Sequence, residues 1–189
     1  MKKLWIIIIA VVVLIIIGLS WYIGGLNRVV RMQEAVGEAW AQVETVLQRR
    51  YDLIPNLVNT VKGYARQERE VFTKVTELRS QWGKAKTVGE KIDTSRALDS
   101  AISRLLLVVE NYPQLKSNQN FLALQDQLEG TENRIAVQRM RYNRVAKDFN
   151  AYIRSVFGSF FARKRGITEK APYFEVADEA AKEAPKVEF

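Results

Sequence analysis

The chain has 189 residues, a formal net charge of +8, and neither histidine nor cysteine. The absence of cysteine excludes disulfides, thiolate metal sites and cysteine nucleophiles, and the absence of histidine removes the commonest general base and zinc ligand. The alternative is a carboxylate-only or lysine-based enzyme, but it would need a cleft, which slender helical bundles rarely have. We therefore predict that the protein is not an enzyme, with no catalytic, cofactor-binding or metal-binding residues. Because the chain has only 4 prolines and 10 glycines, long helices are expected rather than a many-stranded β fold.

The first predicted element is an uncharged apolar segment at residues 4–23. At about 1.5 Å per residue, a helix of this length covers the roughly 30 Å hydrocarbon core of a bilayer. A cleaved signal peptide usually has a shorter apolar run of about 7–15 residues, followed by a small-residue cleavage site. We predict an uncleaved transmembrane anchor at residues 1–25, with aromatic residues at both membrane interfaces. Its marker residues are Leu4, Trp5, Trp21 and Tyr22.

Beyond the anchor, apolar residues at steps of three and four predict that the same helix continues. The basic pair Arg49-Arg50, followed by Tyr51, predicts its C-terminus, because cations suit the negative end of the helix dipole. Asp52 is then the N-cap of a second helix, with Pro55 in the first turn, where its missing N–H has no effect. This second helix is predicted to stop near Gly83.

Two further helices complete the predicted fold. The third begins at Asp93 or Thr94 as N-cap and ends at Pro113, and the fourth runs from near Asn118 to about Arg165. The fourth helix, at roughly 45 residues, is expected to be about 68 Å long. The fold class is therefore all-α: an N-terminal transmembrane helix continuous with an elongated antiparallel four-helix bundle. The bundle covers residues 26–165, and a flexible tail follows at residues 166–189.

The end of the fourth helix is predicted to contact lipid. In an up-down bundle this end returns to the bilayer, and its bulky aromatics precede three cations, as in membrane-contacting segments. The alternative is an ordinary helix end, with core phenylalanines and cations matched to the helix dipole. The candidate lipid-contacting residues are Phe157, Phe160, Phe161, Arg163, Lys164 and Arg165.

Charged residues also interrupt the apolar pattern of the fourth helix. Glu129 and Glu132 lie one turn apart, and Arg139 lies a heptad beyond Glu132. We interpret them as a buried ionic layer that sets helix register, rather than as a carboxylate pair for metal or acid–base chemistry.

Several long strings of residues resemble the LemA family. They include the run from Arg49, Arg50, Tyr51 and Asp52 through Pro55 to Val58, the run from Glu110 to Lys116, and the run from Leu128 through Glu132, Asn133 and Arg134 to Ile135. The segment between Tyr152 and Gly166 departs from the family pattern. The resemblance implies a bacterial membrane protein with an N-terminal helix and four long antiparallel helices, and it carries over no catalytic residues.

Two hypotheses for function follow. The first is a non-enzymatic scaffold that self-associates laterally at the bacterial cytoplasmic (inner) membrane and contacts or shapes lipid. The second is an adapter that tethers a specific membrane or envelope partner protein, with Tyr173 and Phe174 of the tail docked on the bundle or on that partner. Nucleic acid is not expected as a partner, because the basic residues are interspersed with acidic ones. Basic residues flank both ends of the anchor, so they do not indicate on which side of the membrane the bundle lies.

Overall fold

The computed structural model describes residues 2–65 and 67–175, and within these ranges the chain is all-helical, without a strand. The predictions of an all-α fold and of a long apolar N-terminal helix are confirmed. The helices are α1 (Lys2–Lys62), α2 (Arg69–Lys84), α3 (Val88–Val109), α4 (Pro113–Lys116), α5 (Gln119–Arg154) and α6 (Val156–Lys164).

Helix α1 is continuous over 61 residues and contains Pro55. The predicted helix end at Arg49-Arg50-Tyr51 and the predicted N-cap at Asp52 are therefore wrong. Pro55 has no N–H to donate to the carbonyl oxygen of Tyr51, four residues earlier. Arg79 of α2 donates its Nε–H to that oxygen instead, at 3.1 Å. Because the freed carbonyl is satisfied by another helix, α1 passes through Pro55 without an unpaired buried acceptor.

The break between α1 and α2 lies at Gly63, within what the sequence predicts as one helix. The backbone N–H groups of Tyr64 and Ala65 both donate to Val61, at 3.0 and 2.9 Å, and close the end of α1. Ala65 is buried, whereas Gly63 and Tyr64 are exposed. Helix α2 begins at Arg69, after this short connection.

Helix α3 begins earlier than predicted. Thr87 is its N-cap, and the Thr87 and Glu90 side chains each bind the other residue's backbone N–H in a capping box. The predicted start at Asp93 or Thr94 is wrong, because the Thr-x-x-Glu pattern at 87–90 is the stronger N-terminal signal. The backbone N–H groups of Lys86 and Thr87 hydrogen-bond to the Glu90 carboxylate and lower its pKa.

The predicted fourth helix is two helices. Asn118 caps the start of α5, as its Oδ1 accepts from the Phe121 N–H at 3.1 Å. A single helix to Arg165, about 68 Å long, is wrong because Ser155 ends α5 and serves as N-cap of α6. Ser155 is extended, with φ −71° and ψ 161°, and its Oγ accepts from the Gly158 N–H. At Gly158 an added Cβ would lie 1.9 Å from the Tyr152 carbonyl oxygen, so the break requires glycine there.

The chain divides into two compact units. In the described residues, unit 1 comprises 2–39 and 144–171, and unit 2 comprises 40–65, 67–143 and 172–175. The core of unit 1 includes Val29, Ala146, Phe149, Ile153 and Phe161. In unit 2 the buried residues of each long helix recur at helical spacing, as expected for amphipathic helices that share a core. They include Val43, Leu47, Ile54 and Leu57 of α1, Phe72, Val75 and Leu78 of α2, Leu98, Ile102 and Leu105 of α3, and Phe121, Leu128 and Ile135 of α5.

Candidate functional site

The apolar segment at residues 4–23 of α1 is exposed along its whole length. Among the described residues, α1 is the one helix that is long and apolar enough to cross a membrane. Leu4 and Trp5 are 63% and 65% exposed, and Trp21 is 54% exposed at the other end. A helix that is apolar on all sides and has no protein around it is stable when lipid surrounds it. The segment is therefore a candidate membrane anchor.

Helix α6 packs against the end of this anchor within unit 1. The Trp21 ring lies 5.6 Å from the Phe157 ring and 5.1 Å from the Phe161 ring, between ring centroids. The Tyr22 ring lies 6.4 Å from Phe160 and 6.1 Å from Phe161. These aromatic contacts join α6 to the part of α1 where the apolar segment ends.

Of the predicted lipid-contacting aromatics, the structure buries one and exposes two. Phe161 is only 2% exposed, so the prediction that it contacts lipid is wrong. Its ring occupies the space beside Gly25, where an added Cβ would lie 2.3 Å from ring carbons. Phe157 and Phe160 are 64% and 41% exposed, and Val156, which the sequence analysis did not select, is 83% exposed. Val156 was missed because β-branched residues in such a pattern usually belong to the core.

The three predicted cations follow these aromatics directly. Arg163, Lys164 and Arg165 are exposed, and within the described ranges none of them pairs with an acidic side chain. Lys164 Nζ lies 6.0 Å from the centre of the Phe160 ring. The end of α6 therefore carries exposed apolar rings followed by exposed positive charge, next to the anchor.

Unit 2 contains a second candidate, an ionic cluster of Arg50, Asp99, Glu132 and Arg139. Arg50 Nη1 lies 2.5 Å from Asp99 Oδ1 and 2.9 Å from Glu132 Oε2. Arg139 Nη2 lies 3.1 Å from Asp99 Oδ2 and donates to Ser95 Oγ at 3.0 Å. Two cations and two anions balance one another, and Arg50 is only 5% exposed. Both carboxylates are engaged by arginines, so the cluster is an ion-pair network that links α1, α3 and α5.

The structure places the predicted motif residues unequally around this cluster. Arg50 and Glu132 are brought together, although 82 positions separate them in the sequence. Apart from the buried Arg50 and Tyr51, the charged or polar motif residues are exposed: Arg49, Asp52, Glu132, Asn133 and Arg134. Glu129 is also exposed, and accepts from Gln125 at 3.1 Å. Asp99 was missed in the sequence analysis. Its position was nevertheless indicative, because it lies four residues after Ser95 and three before Ile102, which are both buried on α3.

Tyr51 lies beside the cluster in the core of unit 2. Its ring stacks on Trp82 with centroids 4.0 Å apart and planes at 19°. Burial raises the pKa of Tyr51 well above its usual range. The hydroxyl therefore stays protonated near neutral pH and does not act as a base.

The C-terminal segment, residues 171–175, is held against the helices rather than free. In unit 2, Asn143 donates from Nδ2 to the Phe174 carbonyl at 2.7 Å and accepts the Phe174 N–H at 2.9 Å. Tyr142 donates its hydroxyl to the Pro172 carbonyl at 2.8 Å. In unit 1, Asn150 forms the same two-way pair with Ala171, at 2.9 and 2.8 Å. The predicted flexible tail is therefore wrong for this segment, while residues 176–189 of that prediction lie outside the described residues.

The Phe174 ring occupies an aromatic pocket in unit 2. It stacks on Trp40 at 20° and meets the Tyr142 ring edge-on at 84°. The Arg139 guanidinium lies 5.0 Å from the centre of the Phe174 ring. Burial raises the pKa of Tyr142 to about 12, so its hydroxyl remains a hydrogen-bond donor near neutral pH. Arg96 Nη2 reaches the Tyr173 carbonyl oxygen at 3.4 Å. We call Trp40, Arg96, Arg139, Tyr142 and Asn143 the segment-binding site.

Comparison with known proteins shows one family and several bacterial relatives. The LemA family matches residues 39–189. Protein LemA of Metamycoplasma hominis is 25% identical over 146 residues, which cover 76% of this chain and 66% of that protein. Magnetosome protein MamQ 2 of Paramagnetospirillum magneticum is 26% identical over 175 residues, which cover 79% of this chain and 64% of that protein. Magnetosome protein MamQ of Magnetospirillum gryphiswaldense is 26% identical over 153 residues, which cover 67% of this chain and 56% of that protein. The chain thus spans less than two thirds of the length of these relatives.

Proposed function

The chain belongs to the LemA family, and from this premise we propose that it is a non-enzymatic scaffold that self-associates laterally in the bacterial cytoplasmic (inner) membrane. The observation that carries the proposal is the exposed apolar segment at residues 4–23, which continues without a helix break into the folded helices. A single-pass anchor of this kind confines every copy to two dimensions. Confinement raises the effective concentration of copies, so that weak lateral contacts suffice for assembly.

The finer architecture that we propose is an antiparallel four-helix bundle formed in unit 2 by α1, α2, α3 and α5. Each of these helices carries buried apolar residues at helical spacing, which is the pattern that bundle helices require. The ionic cluster joins α1, α3 and α5 and supports a single register of these helices. A rigid bundle attached to an anchor suits a scaffold.

We propose in addition that α6 is a second membrane contact. Its exposed side chains Val156, Phe157 and Phe160 lie on the helix that packs against Trp21 and Tyr22. Tryptophan and tyrosine at the end of an apolar helix favour the interface between hydrocarbon and head groups. The exposed rings then enter the lipid boundary, and the following cations meet anionic head groups.

Nitroxide labelling tests the contact of α6 with lipid. The chain has no cysteine, so Phe157→Cys supplies a single attachment site in vesicles of phosphatidylcholine and phosphatidylglycerol. We expect the label to collide more with oxygen than with a water-soluble nickel chelate. Lys147→Cys, an exposed position on α5 in the same unit, is the control and should show the opposite preference. An aqueous pattern at both positions would contradict the proposed contact.

A non-enzymatic role is supported by the chemistry of the internal polar groups. The carboxylates of the ionic cluster are paired with arginines, and the buried Tyr51 hydroxyl stays protonated. Two of the relatives described above are named as magnetosome proteins, and neither name states a reaction. A role in organising a membrane fits both observations.

An adapter that tethers a partner protein is the second candidate function. The observation that favours it is a set of exposed apolar side chains in unit 2, on α3 and α5. These are Leu107, Leu122, Val137 and Met140, of which Leu107 is 67% exposed. A membrane or envelope protein that covers these side chains would bury apolar area without any self-association.

The mass of the full-length protein in lipid nanodiscs tests the two functions. We expect a discrete higher-order mass for the scaffold, and a second sample that begins at Asn27 locates the contacts. If the shortened form keeps that mass, the contacts lie in the folded helices, and if it becomes a monomer, they lie in the anchor. A full-length monomer would overturn lateral self-association and favour the adapter.

A further inference from the structure

We infer that the segment-binding site also accepts the C-terminal segment of a second copy, so that copies exchange residues 171–175 with one another. This inference rests on the proposed lateral self-association and names the contact through which it occurs. The partner is a second copy of this chain, and the exchanged element is the extended segment that each copy now binds itself.

The segment-binding site recognises mainly backbone atoms. Asn143 binds the N–H and carbonyl of Phe174, Tyr142 binds the carbonyl of Pro172, and Arg96 Nη2 reaches the carbonyl of Tyr173 at 3.4 Å. Side-chain amides that pair with an extended backbone give affinity, and one pocket for one side chain gives selectivity. The site is therefore built as a receptor for a peptide segment that carries one half-buried aromatic ring.

Selectivity in this site comes from the Phe174 ring. Trp40 stacks on it, Tyr142 meets its edge, and the Arg139 guanidinium lies over its face. Such a pocket fits a phenylalanine that follows the extended Pro172-Tyr173 pair. A second copy supplies this same segment, so it fits the site without any change of sequence.

The connection to the helices is suited to exchange. Helix α6 ends at Lys164, and Gly166 adopts φ +70°, which closes the helix end. Residues 166–170 then lead to Ala171 with mostly exposed side chains and no described side-chain hydrogen bond. Because this connection contains no helix, the segment can leave its own site without unfolding α6.

The balance between a copy's own segment and its neighbour's depends on concentration. The contacts are identical in both cases, so the exchange itself has little intrinsic free-energy cost. Membrane anchors raise the local concentration of neighbouring segments. Reciprocal exchange closes a dimer, whereas one-way exchange leaves a free site and a free segment and continues as an open lateral chain.

A photo-crosslinking experiment on full-length protein tests the exchange. Benzoylphenylalanine at position 174 replaces one aromatic ring by another, and chains labelled with ¹⁴N and ¹⁵N are mixed in phosphatidylcholine–phosphatidylglycerol vesicles. After irradiation, mass spectrometry identifies crosslinks from position 174 to peptides that contain Trp40 or Tyr142. Exchange predicts crosslinked pairs of mixed isotope content that approach the statistical proportion. Crosslinks confined to pairs of one isotope would overturn the inference.

Matched variants show whether the crosslinks report the site. Asn143→Leu removes both hydrogen bonds to Phe174 and should lower the crosslink yield roughly tenfold, while Asn133→Leu, exposed on the same helix, should leave it unchanged. Circular dichroism of each variant checks that the helices still form. Phe174→Ala tests the same contact from the side of the segment: it should abolish the higher-order mass of the full-length protein in nanodiscs. If crosslinked pairs contain one isotope only while the protein in nanodiscs has a higher-order mass, the exchange is refuted but the self-association is not. If crosslinked pairs contain one isotope only and the protein in nanodiscs is a monomer, both the exchange and the proposed self-association are refuted.

Discussion

Replacing Arg79 by methionine tests how α1 passes through Pro55. Methionine keeps most of the length of the side chain but cannot donate to the Tyr51 carbonyl, which Arg79 Nε now binds at 3.1 Å. A hydrogen bond from a charged donor contributes roughly 1.5–3 kcal/mol when buried. Because Arg79 is exposed and its bond only partly buried, we expect the free energy of unfolding to fall by about 1 kcal/mol.

A double-mutant cycle with Pro55→Ala isolates this effect. Alanine at position 55 has an N–H that donates to the Tyr51 carbonyl within α1, so Arg79 is no longer needed there. Pro55→Ala alone should stabilise the protein by roughly 1–3 kcal/mol. In the Pro55→Ala background, Arg79→Met should have almost no effect, and the difference between the two backgrounds is the coupling energy.

Thermal unfolding in detergent, followed by circular dichroism, provides the assay. For a chain of this size a change of 1 kcal/mol shifts the midpoint by about 2–4 °C. Lys84→Gln, an exposed change at the end of the same helix α2, is the control and should leave the midpoint unchanged. Equal loss of stability from Arg79→Met in both backgrounds would refute the argument, because the arginine would then act independently of Pro55.

Three other predictions use the same unfolding assay. Asp99→Ala removes the carboxylate that joins Arg50 to Arg139 and leaves Arg50 with Glu132 alone, so it should cost roughly 1–3 kcal/mol; no measurable loss would contradict the ion-pair network. Gly158→Ala should destabilise, because its Cβ meets the Tyr152 carbonyl, whereas Gly130→Ala, which has open space, should stabilise by about 0.5–1 kcal/mol. Burial raises the pKa of Tyr142 to about 12, from about 10 in the unfolded chain, so its contribution to stability is complete below pH 10 and is lost as the pH rises through 12. In Tyr142→Phe, the free energy of unfolding should therefore fall less steeply between pH 10 and 12 than in the unmodified protein. The same slope in both proteins would contradict this prediction.

Local patterns were sufficient for the helical class and for the candidate membrane anchor. Twenty uncharged, mostly apolar residues are long enough to span a bilayer, and in the structure they are exposed at residues 4–23. The start of α5 was also predictable, since Asn118 caps it through its own side chain. The Thr-x-x-Glu and Ser155 caps are local signals of the same kind, but apolar periodicity continues across both, so it alone places the start of α3 too late and merges α5 with α6.

The remaining features depend on partners that are distant in sequence. Pro55 predicted a helix start, because a proline inside a helix leaves one carbonyl without its N–H partner. In the structure the helix continues, because Arg79 of α2 donates to that carbonyl, which belongs to Tyr51. Glu129, Glu132 and Arg139 suggested an ionic layer, but in the structure Glu132 pairs with Arg50 of α1, and Asp99 of α3 joins Arg50 to Arg139. The C-terminal segment has the composition of a free tail, yet the amides of Asn143 and Asn150 hold its backbone. Periodicity records which face of a helix is apolar, whereas the partner of a particular carbonyl, charge or amide is chosen when the helices pack.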